Sequence, residues 1–138
     1  MIRITVIEDY PETVKEVATI LLSMGKEIGI QPITTAPFFD SEIEKDIAQF
    51  KPELIILDLL LVDTVESGFR VLAQIKRSNL LSTIPVLVFS SFIGEEQGKQ
   101  LQDKASRLGA AGAIRKNKAD LTKWLEVHVS QTVGEARG

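Results

Sequence analysis

Hydrophobic and polar positions along this chain follow two alternating rhythms. Short β-rich runs are separated by longer stretches in which apolar residues return every three or four positions, the helical period. The first run is IRITVI at 2–7, and it ends in Glu8-Asp9. Pro11 then suits the first turn of a helix. Val14, Val17, Ala18, Leu21 and Leu22 give that helix an apolar face, and Gly25 is placed to stop it. A weaker strand, IQPITTA at 30–36, contains Pro32, which argues for the edge of a sheet. Ser41 followed by Glu44 resembles a capping box, ahead of Ile43, Ile47 and Phe50 on one helical face.

The third run, ELIILDLL at 53–60, is too continuously apolar to have a wet face, so it reads as a central parallel strand covered on both sides. The segment DTVESG that follows reads as a loop, with Val71, Leu72 and Ile75 suggesting a short helix after it. Pro85 precedes VLVFSS, a second doubly buried strand that ends in hydroxyls. From Glu95 to Leu108 the chain is polar, with Leu101, Ala105 and Leu108 as a narrow apolar seam. AGAIR at 111–115 is a short fifth strand, and a last helix over roughly 120–133 carries Leu121, Trp124, Leu125 and Val129.

Strands alternating with helices imply right-handed crossovers and an α/β domain, a parallel sheet with helices on both faces. In such sheets the binding crevice lies beyond the carboxyl ends of the strands, where strand order reverses. Strand one ends in Glu8-Asp9, strand three at or near Asp58, strand four in Ser90-Ser91 and strand five in Arg115-Lys116. Three carboxylates, two hydroxyls and a cation are therefore expected on one edge. An unpaired carboxylate inside an apolar run costs several kcal/mol, so Asp58 belongs at the mouth of its strand rather than in the core.

The 138 residues, 44% hydrophobic and 25% charged, describe one globular domain over 1–138 with no second module. A formal net charge of −3 offers no broad footprint for nucleic acid or an anionic membrane. The absence of cysteine removes disulfides and thiolate chemistry. The start, MIRITVIEDY, lacks the basic and apolar parts of a signal peptide, and no run is long enough to span a bilayer. The expectation is a cytoplasmic protein without direct nucleic-acid contact or membrane insertion.

Clustered carboxylates repel, and some protonate unless a cation sits among them. Hard oxygen ligands completed by water and phosphate oxygens suit Mg²⁺. A lysine and a hydroxyl nearby would complete a pocket for a tetrahedral dianion. A carboxylate can itself be the nucleophile and form an acyl phosphate, which points to phosphoryl transfer onto Asp58.

Four pieces in this order, IED after strand one, LIILDL with its aspartate, IPVLVFSS and GAAGAIRKN, resemble the receiver domain of bacterial two-component response regulators over essentially the whole chain. The resemblance implies a (βα)5 flavodoxin-like fold with strand order 2-1-3-4-5. It implies Asp58 as phosphoacceptor, Ser90 as the switch hydroxyl and Lys116 as the cation that pairs with the phosphoryl group. Glu8, Asp9, Asp58 and the backbone carbonyl of Leu60 would hold Mg²⁺. The implied partners are a histidine kinase or phosphotransfer protein upstream and a protein target downstream. The family often dimerises through its last two helices and fifth strand, so a homodimer of that kind is also implied. Such a domain catalyses only its own phosphoryl transfer and hydrolysis, and its output is binding; no effector domain is expected within or after these residues.

The chain departs from the family's pattern in places. The proline that commonly follows the aspartate is absent, and Gly68 stands ten residues after Asp58, later than usual. Asn117 replaces the usual proline after the lysine; a cis bond there would cost ~2.5–4 kcal/mol, which favours trans. Ala113 replaces the usual aromatic. These departures favour an alternative, a pseudo-receiver that acts as a constitutive protein-interaction module. A third reading is a Mg²⁺-dependent phosphatase or phosphotransferase for small molecules, but its second acid would fall at Leu60. His128, the sole histidine, reads as a helix residue, and Trp124 as packed against the sheet.

Overall fold

The computed structural model describes residues 2–8, 11–25, 27–34, 39–58, 65–90, 98–115 and 117–137. Strands and helices alternate along them: β1 Ile2–Ile7, α1 Pro11–Ser23, β2 Ile28–Ile33, α2 Ser41–Phe50, β3 Leu54–Leu57, α3 Val65–Arg77, β4 Val86–Ser90, α4 Gly98–Arg107, β5 Gly112–Arg115 and α5 Lys118–Arg137. Every strand pair is parallel and the order is β2-β1-β3-β4-β5. This is the flavodoxin-like doubly wound order, and its reversal puts the crevice over the carboxyl ends of β1 and β3.

β3 shows why an unbroken apolar run belongs in the middle. Ile55 and Leu57 enter a core with Ile47 of α2, Phe69, Leu72 and Ile75 of α3, and Ala105 of α4. Leu54 and Ile56 enter a second core with Val17, Ile20 and Leu21 of α1 and Leu121 and Leu125 of α5. The alternation of a strand thus divides its side chains between two helical layers, and each fully buried Leu or Ile contributes about 1.5–3 kcal/mol.

β2 lies at the edge, as Pro32 suggests. Ile2 donates its N–H to the Glu27 carbonyl at 2.8 Å and Glu8 donates to the Ile33 carbonyl at 3.0 Å. Odd-numbered β2 residues therefore bond to β1, and Pro32 turns its donor-less nitrogen to the open side. The strand begins two residues before the expected 30–36 span, at Ile28, and ends at Ile33.

Several local expectations are corrected. The N-cap of α2 is Asp40, whose Oδ1 accepts from the Ile43 N–H at 2.9 Å, and Ser41 is already helical. A carboxylate at the cap accepts the same orphan N–H and also meets the positive helix end, so it displaces the serine. The DTVESG segment is not all loop, because α3 begins at Val65. Gly68 and Phe69 are buried and extend the Leu72–Ile75 seam back by a turn, which outweighs the weak helix propensity of glycine. The last helix spans twenty residues rather than the shorter stretch expected.

Trp124 packs against the α1/α5 core and over β5. A Cβ built at Gly112 would lie 2.7 Å from its Nε1, so the indole sits where a side chain would otherwise stand. His128 stacks on the other part of this arrangement, its ring 3.9 Å from the indole and tilted by 9°. Its Nδ1 is 2.9 Å from the Trp124 carbonyl, which can only accept, so Nδ1 carries the proton. Among the described residues, no helix is long and apolar enough to cross a membrane.

Candidate functional site

The described buried polar residues are Thr5, Glu8, Asp58, Ser78 and Ser90. Two of them serve the fold. Thr5 donates to Gln31 Oε1 at 2.9 Å, and the Gln31 amide donates to the Asp46 carbonyl at 3.1 Å, which ties β1, β2 and α2 together. Ser78 Oγ accepts from the Leu80 and Leu81 N–H groups and closes the turn after α3. The other three stand together at the carboxyl edge of the sheet.

Register explains their meeting. Leu57 pairs with Ile7 on one side and with Val88 on the other. Asp58 N–H donates to the Ile7 carbonyl at 3.1 Å, which sets the end of β3 level with the end of β1. Glu8 and Asp58 are therefore the next residues on neighbouring strands. Ser90 closes β4 and pairs with Arg115 of β5. All three are nearly sealed from water: Glu8 is 1% exposed, Asp58 4% and Ser90 0%. Asp58 follows the last residue of β3, as expected of a strand-end position, and it is buried there.

Each of the three has a polar partner. Asp9, Leu60 and Lys116 fall outside the described residues; of the expected set the structure describes Glu8, Asp58 and Ser90, each at the carboxyl end of its strand. Among the described residues no three His, Asp or Glu side chains gather as a metal cluster. Glu8 and Asp58 are nonetheless a hard-oxygen donor pair on adjacent strands, the chemistry that suits Mg²⁺ or Mn²⁺.

Two features near the site escape the sequence reading. Asn117, noted only as a replacement for proline, caps α5: its Oδ1 accepts from the Asp120 N–H at 3.1 Å and its carbonyl from the Leu121 N–H at 3.0 Å. Asn followed three residues later by an acid is a recognisable cap signal that could have shown this. Gln102 of α4 donates from Nε2 to the carbonyl of Ala113 at 3.0 Å, at the position where the resemblance implies an aromatic. No local pattern foretells that bond. Arg115 and Asp120 form an exposed ion pair at 3.3 Å, worth little in stability but consistent with the cap's geometry.

Solved structures that share this fold include receiver domains. The signal receiver domain of a DNA-binding response regulator from Colwellia psychrerythraea superimposes with a TM-score of 0.73 at 20% identity, covering 94% of this chain and 99% of that one. The receiver domain of NtrX from Brucella abortus has a TM-score of 0.64 at 26% identity, over 89% of this chain and 93% of that one. The Mn²⁺-bound form of response regulator Rcp1 gives 0.64 at 23% identity, over 91% and 89%. No family model and no curated protein matches the sequence. The chain therefore has the response-regulator receiver fold, with the expected strand order and five flanking helices.

Proposed function

We propose that this protein is a phosphorylation-controlled signalling receiver with Asp58 as phosphoacceptor. The observation that carries the reading is the burial of Glu8, Asp58 and Ser90 at the carboxyl ends of the adjacent strands β1, β3 and β4. An Asp58 carboxylate oxygen attacks the phosphorus of a phosphohistidine on a histidine kinase or phosphotransfer protein. A new O–P bond forms, the P–N bond breaks, and the electron pair leaves with the imidazole. Ser90 donates its hydroxyl proton to a phosphoryl oxygen, and Lys116 pairs with the same group. Glu8, Asp9, Asp58 and the Leu60 carbonyl would hold Mg²⁺, which when bound screens the charge of the incoming phosphoryl group. The output is a changed protein-binding surface, and the domain's chemistry is limited to its own phosphorylation and dephosphorylation.

A second reading is a pseudo-receiver with a fixed binding face. The Gln102–Ala113 bond favours it, because it ties α4 to β5 at the place where the family's aromatic would move.

Heteronuclear NMR with Mg²⁺ and beryllofluoride, an acyl-phosphate mimic, separates the two. Shifts at Glu8, Asp58 and Ser90 that need both Mg²⁺ and the Asp58 carboxylate, and vanish in Asp58→Asn, support the receiver. Shifts that reach α4 show a working switch. No Mg²⁺-dependent response leaves the pseudo-receiver.

A further inference from the structure

Where β5 passes into α5, the chain is tied down on both sides of a single residue, Lys116. Before it stands Arg115, which closes β5 and pairs with Ser90 of the site. The Arg115 Nε lies 3.3 Å from the Asp120 carboxylate. After it stands Asn117, whose Oδ1 accepts from the Asp120 N–H at 3.1 Å. The Asn117 carbonyl also accepts from the Leu121 N–H at 3.0 Å. Asp120 therefore holds both neighbours of Lys116, one through its side chain and the other through its backbone. Leu121 is sealed in the core with Leu125, so these bonds run to a fixed body.

Each bond alone has an ordinary use. A cap spares a helix an orphan N–H, and an exposed ion pair adds little stability. A cap needs no second tie across the residue before it, however, and Arg115 supplies one. Peptide units hold consecutive Cα atoms about 3.8 Å apart, so a residue between two fixed neighbours has little backbone freedom. We propose that Asn117 is a positioning residue that acts through Lys116. With the Arg115–Asp120 pair, it fixes the backbone from which the lysine ammonium reaches the phosphoryl group on Asp58. A cation set in advance where negative charge gathers needs no reorganisation during transfer. The proposal rests on the receiver reading and names a residue that serves its chemistry.

The test is the rate at which acetyl phosphate, with Mg²⁺, phosphorylates Asp58 of the full chain, followed by intact mass. The carboxylate takes the phosphoryl group and acetate leaves. Asn117→Ala and Asp120→Ala are each expected to slow transfer about two- to tenfold. Asn117→Ser keeps a cap acceptor and restores most of the rate. Ser78→Ala controls for lost stability, because it removes a comparable acceptor from the turn between α3 and β4, and its rate stays at the wild-type value. Lys116→Met separates positioning from capping: in that background, Asn117→Ala slows transfer no further. The proposal is overturned by a wild-type rate in Asn117→Ala or Asp120→Ala, or by equal slowing in Ser78→Ala. It is also overturned by the same fold of slowing on top of Lys116→Met. A wild type that takes no phosphoryl group on Asp58 overturns the receiver reading and this proposal with it, so the two failures are told apart.

Discussion

Gln102 of α4 holds the backbone of Ala113 in β5, amide nitrogen to carbonyl oxygen at 3.0 Å. On the opposite side of the same helix, the Lys104 ammonium stands 4.6 Å from the centroid of the Phe69 ring in α3. α4 is thus tied to both of its neighbours by polar side chains, and few of its own are buried. Gln102→Leu and Lys104→Met are each expected to cost about 0.5–1 kcal/mol. Together they raise amide exchange across Gly98–Arg107. Unchanged exchange in the double variant would show that α4 is held by other contacts.

Because Asp40 rather than Ser41 caps α2, the two should respond differently to truncation. Asp40→Ala is expected to lower stability by about 1 kcal/mol, and Ser41→Ala by much less. Urea unfolding of both variants measures this. Equal losses would return the cap to the serine.

Gly112 is glycine because the Trp124 indole occupies the place of its side chain. Gly112→Ala forces either the indole or β5 to shift, at a cost of about 1–3 kcal/mol. Since Trp124 is the sole tryptophan, its emission should change in the folded variant. An unaltered spectrum with unaltered stability would contradict the close approach.

Lys76 of α3 donates to the carbonyls of Ser82 and Ile84, at 3.3 and 2.9 Å, and so pins the turn that leads into β4. Lys76→Met should cost about 1–2 kcal/mol. Burial holds the Lys76 ammonium below its ordinary pKa. Between the folded and unfolded values the unfolded chain binds more protons, so stability from this group rises with pH across that interval. The stability gap between wild type and Lys76→Met should therefore widen as the solution becomes alkaline. A gap that narrows would reverse the assignment.

If the buried carboxylates form the metal site, paramagnetic Mn²⁺ should broaden the resonances of Glu8 and Asp58 first. Mg²⁺ should compete, and a chelator should restore the signals. Glu8→Gln should weaken Mn²⁺ binding about tenfold or more, and broadening that starts elsewhere would place the ion at another site.

What the sequence revealed depended on whether the cause was local. Leu54 to Leu57 announce a doubly covered strand because every position is apolar, and Pro32 announces an edge because it lacks a donor. The carboxyl-edge position of Glu8, Asp58 and Ser90 followed from strand alternation and parallel pairing alone. Asp40 is masked in the sequence by Ser41 and Glu44, which match a capping box by spacing, whereas the helix begins one residue earlier. The start of α3 is hidden because DTVESG has the polar composition of a loop, and only the burial of Phe69 ties it to the helix. The Gln102–Ala113 bond and the seat of Trp124 on Gly112 join residues that are distant in the chain. No periodicity encodes them.

The two open sides of the sheet are each closed to continuation. Pro32 faces outward from β2 without a donor, and at the far side a helix side chain occupies a β5 carbonyl. A sheet so terminated is a poor template for another copy's strand. When molecules of this protein crowd together, fibril-like growth is disfavoured at both ends. Of the surfaces described, that leaves the helical layers as the faces on which copies can meet.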